Sequence, residues 1–241
     1  RYARLYEFGY ASSLLCARVV YRGSGGVYRK AKPITMSATK RHMAVAGFLL
    51  LATVFFFVRG WFVAVPTLYA ALIAATTSRK GGVAIPLALL FSAAGDYAGS
   101  TGNFIMQVAL FAIAHICYIS DFAPRRIASR SRFAGATALA VVTLCYLGLV
   151  LSHIDNQAEF VAVAIYGLII YIMGATAIFQ QRRFYAWYVV AALLFIFSDS
   201  LIVCGKYLTT VPHGNTLVML TYYAAQGLFM TLHATRRTAE E

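Results

Sequence analysis

The chain has 241 residues, of which 61% are hydrophobic and only 12% charged, and its mean hydropathy is +0.71. Soluble domains carry about 25% charged and 45–50% apolar residues, so this composition excludes a soluble fold, which could not cover so much apolar surface. The net charge of +13 does not indicate a nucleic-acid-binding protein, because the basic residues fall in one tail and in alternate connections between apolar runs.

In chain order, residues 1–42 form a basic, acid-poor tail with a flexible break at GSGG, 23–26. Its apolar piece, Ala11–Val20, is too short to span a bilayer and gives no long h-region, so a cleavable secretory signal is not expected. The first residue is Arg, which fits a truncated or processed start. Apolar runs follow at 43–58, 61–77, 83–98, 103–122, 133–152, 159–179, 184–204 and 215–234. Each is close to the roughly 17–25 residues that one crossing needs. The runs are continuous rather than alternating, which argues against a β-barrel. Backbone groups in lipid must then be satisfied within helices. Residues 43–234 are therefore expected to be an all-α integral membrane bundle of about eight transmembrane helices, followed by a short tail at 235–241.

The charges support that count. With eight crossings, every Lys and Arg except Arg59 and Lys206 falls on the same side as the N-terminal tail. The positive-inside bias then places both termini in the cytoplasm. The tail, with Arg1, Arg4, Arg18, Arg22, Arg29, Lys30, Lys32, Lys40 and Arg41, would be drawn to anionic headgroups, making membrane lipids the expected partner. The four cysteines (Cys16, Cys117, Cys145, Cys204) form no CxxC pair, and three lie within predicted spans. They read as small buried apolar residues rather than a disulfide or zinc framework.

Of the eight acidic residues, only Asp96 and Asp199 lie clearly inside spans. An aspartate at the bilayer centre costs roughly 2.5–3.5 kcal/mol on insertion scales, and an ionisable group there marks a functional site by default. The alternative is structural, each Asp crosslinking neighbouring helices. The stretches Ala88–Asp96 and Ala192–Asp199 both begin ALLF and reach Asp, a short echo compatible with a parallel repeat. Other polar groups share faces at helical spacing: Ser92 with Asp96, His115 with Tyr118, and Tyr222 with Gln226, with Tyr223 and Ser198 beside them. Together they describe a polar cavity inside a bundle. Only His115 is deep, so a three-His zinc site is not expected. No GxSxG is present, and the serines beside each Asp make no triad.

At these residues the chain resembles the YhhN-like, TMEM86-type lysoplasmalogenases. The resemblance rests on KPITM at 32–36, LLFSAAGD at 89–96, FAIAHICYISDF at 111–122, LLFIFSDS at 193–200 and TYYAAQG at 221–227, in that order. It covers about residues 30–234. Gln107 stands where a small residue is expected. The resemblance implies hydrolysis of the vinyl ether bond of 1-alkenyl lysophospholipids to a fatty aldehyde and glycerophosphocholine or glycerophosphoethanolamine, with no cofactor. It implies the endoplasmic reticulum membrane for a eukaryotic chain and the inner membrane for a bacterial one. It sets no oligomeric state.

That chemistry suits the residues. A vinyl ether is hydrolysed by protonation of its β-carbon, capture of the resulting oxocarbenium ion by water, and collapse of the hemiacetal. Two buried carboxyls, Asp96 and Asp199, would divide the work of acid and counter-ion, as in glycosidases. Ser92, His115, Tyr118, Ser198, Tyr222, Tyr223 and Gln226 would position water or substrate. Lys206 is the one basic side chain near Asp199 on that side, with an ordinary interfacial role the simpler expectation. The competing readings are a proton-coupled transporter, in which Pro66 and Pro86 would break helices, a non-catalytic lipid-binding protein, and a zinc-dependent amidase of the ceramidase kind.

Overall fold

The structure, a computed structural model, describes residues 36–78, 82–124 and 126–235. The basic tail up to residue 35, residues 79–81, Arg125 and residues 236–241 lie outside the described residues, and with them most of the KPITM stretch. The described residues form eight α-helices: α1 Ala38–Val58, α2 Ala64–Thr77, α3 Ala84–Ser100, α4 Phe104–Phe122, α5 Arg130–Leu151, α6 Gln157–Phe179, α7 Tyr185–Tyr207 and α8 Gly214–Ala234. A 3-10 turn, Gly60–Val63, joins α1 to α2.

Polar caps set several of the starts. Ser37, Asn103, Ser129 and Asn156 each accept a hydrogen bond from a backbone N–H in the first turn that follows. The Ser37 cap is why α1 begins at Ala38, ahead of the apolar run at 43. Pro66 and Pro86 lie in the first turns of α2 and α3. A proline there removes an N–H that would have no helical partner anyway. Neither proline breaks its helix, so the helix breaks that the transporter reading expected at Pro66 and Pro86 are not found there.

The helices run up and down, and contacts fix which connections share an end. Ile127 N–H donates to the Phe179 carbonyl at 2.8 Å, and Arg182 donates to Asp121 Oδ2 at 2.7 Å. Ser78 Oγ stands 3.0 Å from His233 Nε2. These contacts gather the Arg-rich α4–α5 and α6–α7 connections at one end. At the other end Glu159 accepts from Tyr207 at 2.6 Å and pairs with Lys206 at 3.2 Å.

Six segments are long and apolar enough to cross a membrane: α1, the 3-10 turn with α2, α4, α5, α6 and α7. The other two differ for a physical reason. Helix α3 has 17 residues and includes Asp96, while α8 includes Thr216, Thr221, Tyr222, Gln226 and His233. Both are shielded by neighbours: α3 packs on α2 and α4, and α8 on α2 and α7. Helix α5 is peripheral, burying only Ala136 and Val150. Large apolar side chains such as Leu50, Phe57, Val142, Leu144 and Trp187 face outward. That much exposed apolar surface is a lipid-facing belt, and the chain is an integral membrane protein. The core is aromatic, with Phe111, Tyr118, Phe122, Phe195, Tyr222 and Phe229 in one cluster.

Candidate active site

The site begins on α3. A Cβ on Gly95 would lie 2.6 Å from the Phe111 ring, so glycine is what lets α3 and α4 approach beside Asp96. Asp96 is buried, and its Oδ2 accepts from the Tyr222 hydroxyl of α8 at 2.7 Å. The Tyr222 oxygen stands 3.3 Å from Thr67 Oγ1 of α2, which donates to it. Three helices thus converge on one carboxyl.

Asp199 has a separate set of partners. Its Oδ2 accepts from the Tyr166 hydroxyl of α6. The Tyr166 oxygen lies 2.9 Å from His115 Nε2 of α4, and that nitrogen is 3.5 Å from Asp199 Oδ2. Tyr166 has one proton and gives it to Asp199, so its oxygen accepts from Nε2–H of His115. This assignment places the imidazole proton on Nε2. His115 Nδ1 and Asp199 Oδ1 are buried without hydrogen-bond partners.

Phe195 stands between the two carboxyl centres. Its ring centroid is 4.6 Å from that of His115 and 5.3 Å from that of Tyr222. Tyr118 donates to Gln226 Oε1 at 2.9 Å, and Ser92 Oγ is buried without a hydrogen bond. Ser198 and Tyr223 are also buried, but their hydroxyls are committed to backbone. Ser198 donates to the Val218 carbonyl at 3.1 Å, and Tyr223 to the Val63 carbonyl at 2.9 Å. Tyr223 packs on Phe48 and Phe55 of α1 and so belongs to the α1–α2 corner.

The two carboxyls open on different cavities. One, about 360 Å³, is reached from the α1–α2 and α7–α8 end and includes Asp96, Tyr222, Ser198, Gln107, Arg59, Asn215 and Thr216 in its lining. The other, about 340 Å³, lies among α5, α6 and α7 and is lined by Asp199 and Tyr166 amid Leu139, Leu147, Ile170 and Ile196. Gln107 fits because of its neighbour: a Cβ on Gly99 would lie 2.5 Å from the Gln107 amide.

Sequence reasoning missed Thr67 and Tyr166. Tyr166 could have been found from spacing, since it shares a face with Gly167, Ile170, Met173, Gly174 and Ala177, the buried side of α6. Small residues at that period mark a helix-packing seam. Lys206 is accounted for by Glu159 and by the rings of Phe104 and Tyr207, 4.6 and 5.1 Å away. Cys117, Cys145 and Cys204 are free thiols. Among the described residues no three His, Cys, Asp or Glu side chains are grouped to share a metal ion.

Fold and site together define a polytopic helical membrane protein built around two buried, tyrosine-bonded aspartates. The model of the YhhN family matches residues 58–232, and the chain belongs to that family. All nine residues singled out from the sequence lie within the match. The chain is similar to lysoplasmalogenase TMEM86A of Bos taurus, 35% identical over 150 residues, which are 58% of this chain and 60% of that protein. It is 34% identical over 153 residues to lysoplasmalogenase TMEM86B of Homo sapiens, 62% of each chain. A lysoplasmalogenase of Mycobacterium tuberculosis (strain CDC 1551 / Oshkosh) is 31% identical over 148 residues, 58% of this chain and 56% of that protein. The chain spans about 60% of the length of the curated relatives it matches. No solved structure matches it.

Proposed function

We propose that this chain is an ether hydrolase of the lysoplasmalogenase type, cleaving the vinyl ether bond of 1-alkenyl lysoglycerophospholipids. The products are a fatty aldehyde and glycerophosphocholine or glycerophosphoethanolamine. The observation that carries the reading is the pair Asp96 and Asp199, both buried in a membrane bundle and each bonded to a tyrosine, on either side of Phe195. Relatives named lysoplasmalogenase support the substrate class.

Asp96 faces the cavity that holds both polar groups and the apolar side chains Phe55, Phe56 and Met219, a lining suited to a lysolipid head and the start of its chain. Its volume is within the range of small-molecule sites. Asp96 gives its proton to the β-carbon, where the C=C electrons form the new C–H bond. The positive charge spreads over the α-carbon and the ether oxygen. Asp199, behind Phe195, is the counter-charge, held by Tyr166 and His115. Charge stabilisation by groups fixed in advance is worth most in such a water-poor interior. Water adds to the α-carbon and returns a proton to Asp96. The hemiacetal then breaks its bond to the glycerol oxygen, which takes the hydroxyl proton. One water is consumed, and aldehyde and alcohol leave.

The helices cross the membrane eight times with the Arg-rich end and both termini in the cytoplasm. The Asp96 cavity then opens toward the opposite side. The test is aldehyde formation from 1-alkenyl lysophosphatidylcholine and lysophosphatidylethanolamine by the purified protein in deuterated water. The expected aldehyde carries one deuterium on carbon 2. No aldehyde from a folded sample, or aldehyde without deuterium there, would contradict the reaction.

A further inference from the structure

Arg59 ends α1 with φ +57° and ψ −160°. That region of backbone space is essentially reserved for glycine, and a residue with a Cβ is strained there. Its N–H closes α1 on the Phe55 carbonyl at 2.8 Å, a task glycine performs without strain. Strain of this kind, kept at a site, points to what the side chain does.

The Arg59 side chain lines the cavity of about 360 Å³ that reaches Asp96. Among the described residues its guanidinium makes no hydrogen bond, ion pair or ring contact. The one carboxyl lining that cavity, Asp96, is bonded to Tyr222. Lys206, the other cation at this end, is not among the residues lining the cavity. Gln107, Asn215 and Thr216 add neutral donors to the same wall. The cavity thus pairs a carboxyl for the reacting bond with an unpaired planar cation. A guanidinium binds a phosphate with two parallel N–H···O bonds, fixing orientation as well as charge.

We propose that Arg59 binds the phosphodiester of the lysolipid and sets its register, so that the ether on the first glycerol carbon lies over Asp96. This deepens the reading above and rests on it for the identity of the lipid. Arg59 touches the non-reacting end of the substrate, and binding energy gained there helps to place the bond that reacts.

The test is binding without turnover. The full chain in maltoside micelles is titrated with 1-O-alkyl lysophosphatidylcholine, which has no vinyl ether, and with 1-O-alkylglycerol, which has no phosphate. Arg59→Gln and Arg59→Gly should each weaken the phospholipid at least tenfold and leave the alkylglycerol within twofold. Arg59→Gly relieves the backbone, so it should melt no lower than wild type while losing the phospholipid. Glycerophosphocholine should compete with the phospholipid, and inorganic phosphate at the same concentration should not. Unchanged phospholipid affinity in Arg59→Gln, equal loss for both lipids, or competition by phosphate as strong as by glycerophosphocholine would overturn the assignment. Arg59-dependent phospholipid binding in a protein that releases no aldehyde would instead contradict the hydrolase and leave the headgroup site standing.

Discussion

Tyr222 on α8 donates its phenolic proton to Asp96 on α3 across 2.7 Å, and this single bond ties the two helices together. A hydrogen bond of this kind contributes about 0.5–1.5 kcal/mol. Tyr222→Phe keeps the ring packing on Phe111 and Phe195 and removes the donor to Asp96 together with the acceptor for Thr67. Its expected effect is a ten- to hundredfold fall in kcat for aldehyde release, with cooperative unfolding retained.

His115 and Tyr166 act as one unit on Asp199. The oxygen of Tyr166 is shared between the imidazole and the carboxyl, so losing either residue breaks the same chain. Tyr166→Phe and His115→Gln should each reduce kcat/KM, and the double variant should lose little more than the worse single one. Coupled residues in a shared network show this non-additivity. Losses that multiply would mean that the two act separately.

How much of this was legible in the sequence follows from what each feature depends on. Each apolar run coincides with one helical segment, because a continuous apolar run of that length satisfies its backbone groups internally as a helix. The start of α1 was missed because a local cap at Ser37, not hydrophobicity, sets it. Asp96, Asp199, His115, Tyr118, Tyr222 and Gln226 were legible because a polar group in a span is conspicuous. Their partition was not: which carboxyl pairs with which tyrosine, and which cavity each meets, depends on helix rotation and on Phe195 between them. Tyr166 escaped because a tyrosine in an apolar span looks like packing until its partner on another helix is known. In the sequence Arg59 stood out only as a basic residue on the side opposite the tail, and its backbone angle is what sets it apart.

Gly95 is placed where a methyl group does not fit. In Gly95→Ala the new Cβ would stand 2.6 Å from Phe111, whose ring also packs on Tyr222 and Phe195. Overpacking of this kind costs about 1–3 kcal/mol. The variant should melt several degrees lower and lose activity as well, because Asp96 is the next residue. A thermal scan in detergent with a parallel aldehyde assay checks both.

Asp121 and Arg182 make the contrasting case at the opposite end of the bundle. Their side chains are 9% and 6% exposed, and Arg182 also lies over the rings of Phe122 and Tyr188. Removing one partner of a buried ion pair costs about 3–5 kcal/mol. Asp121→Asn should lower the melting temperature sharply while the folded fraction keeps its kcat, since the pair is outside both carboxyl centres.

The central claim is that Asp96 and Asp199 together carry the proton chemistry. The most direct measurement is the rate of aldehyde release from 1-alkenyl lysophospholipid by wild type, Asp96→Asn and Asp199→Asn, each shown to be folded by its melting curve and by binding of the 1-O-alkyl lipid. Wild type should release aldehyde, and each variant should lose at least about a hundredfold, the scale of a general acid's contribution, with lipid binding kept. Full turnover in both variants would contradict it.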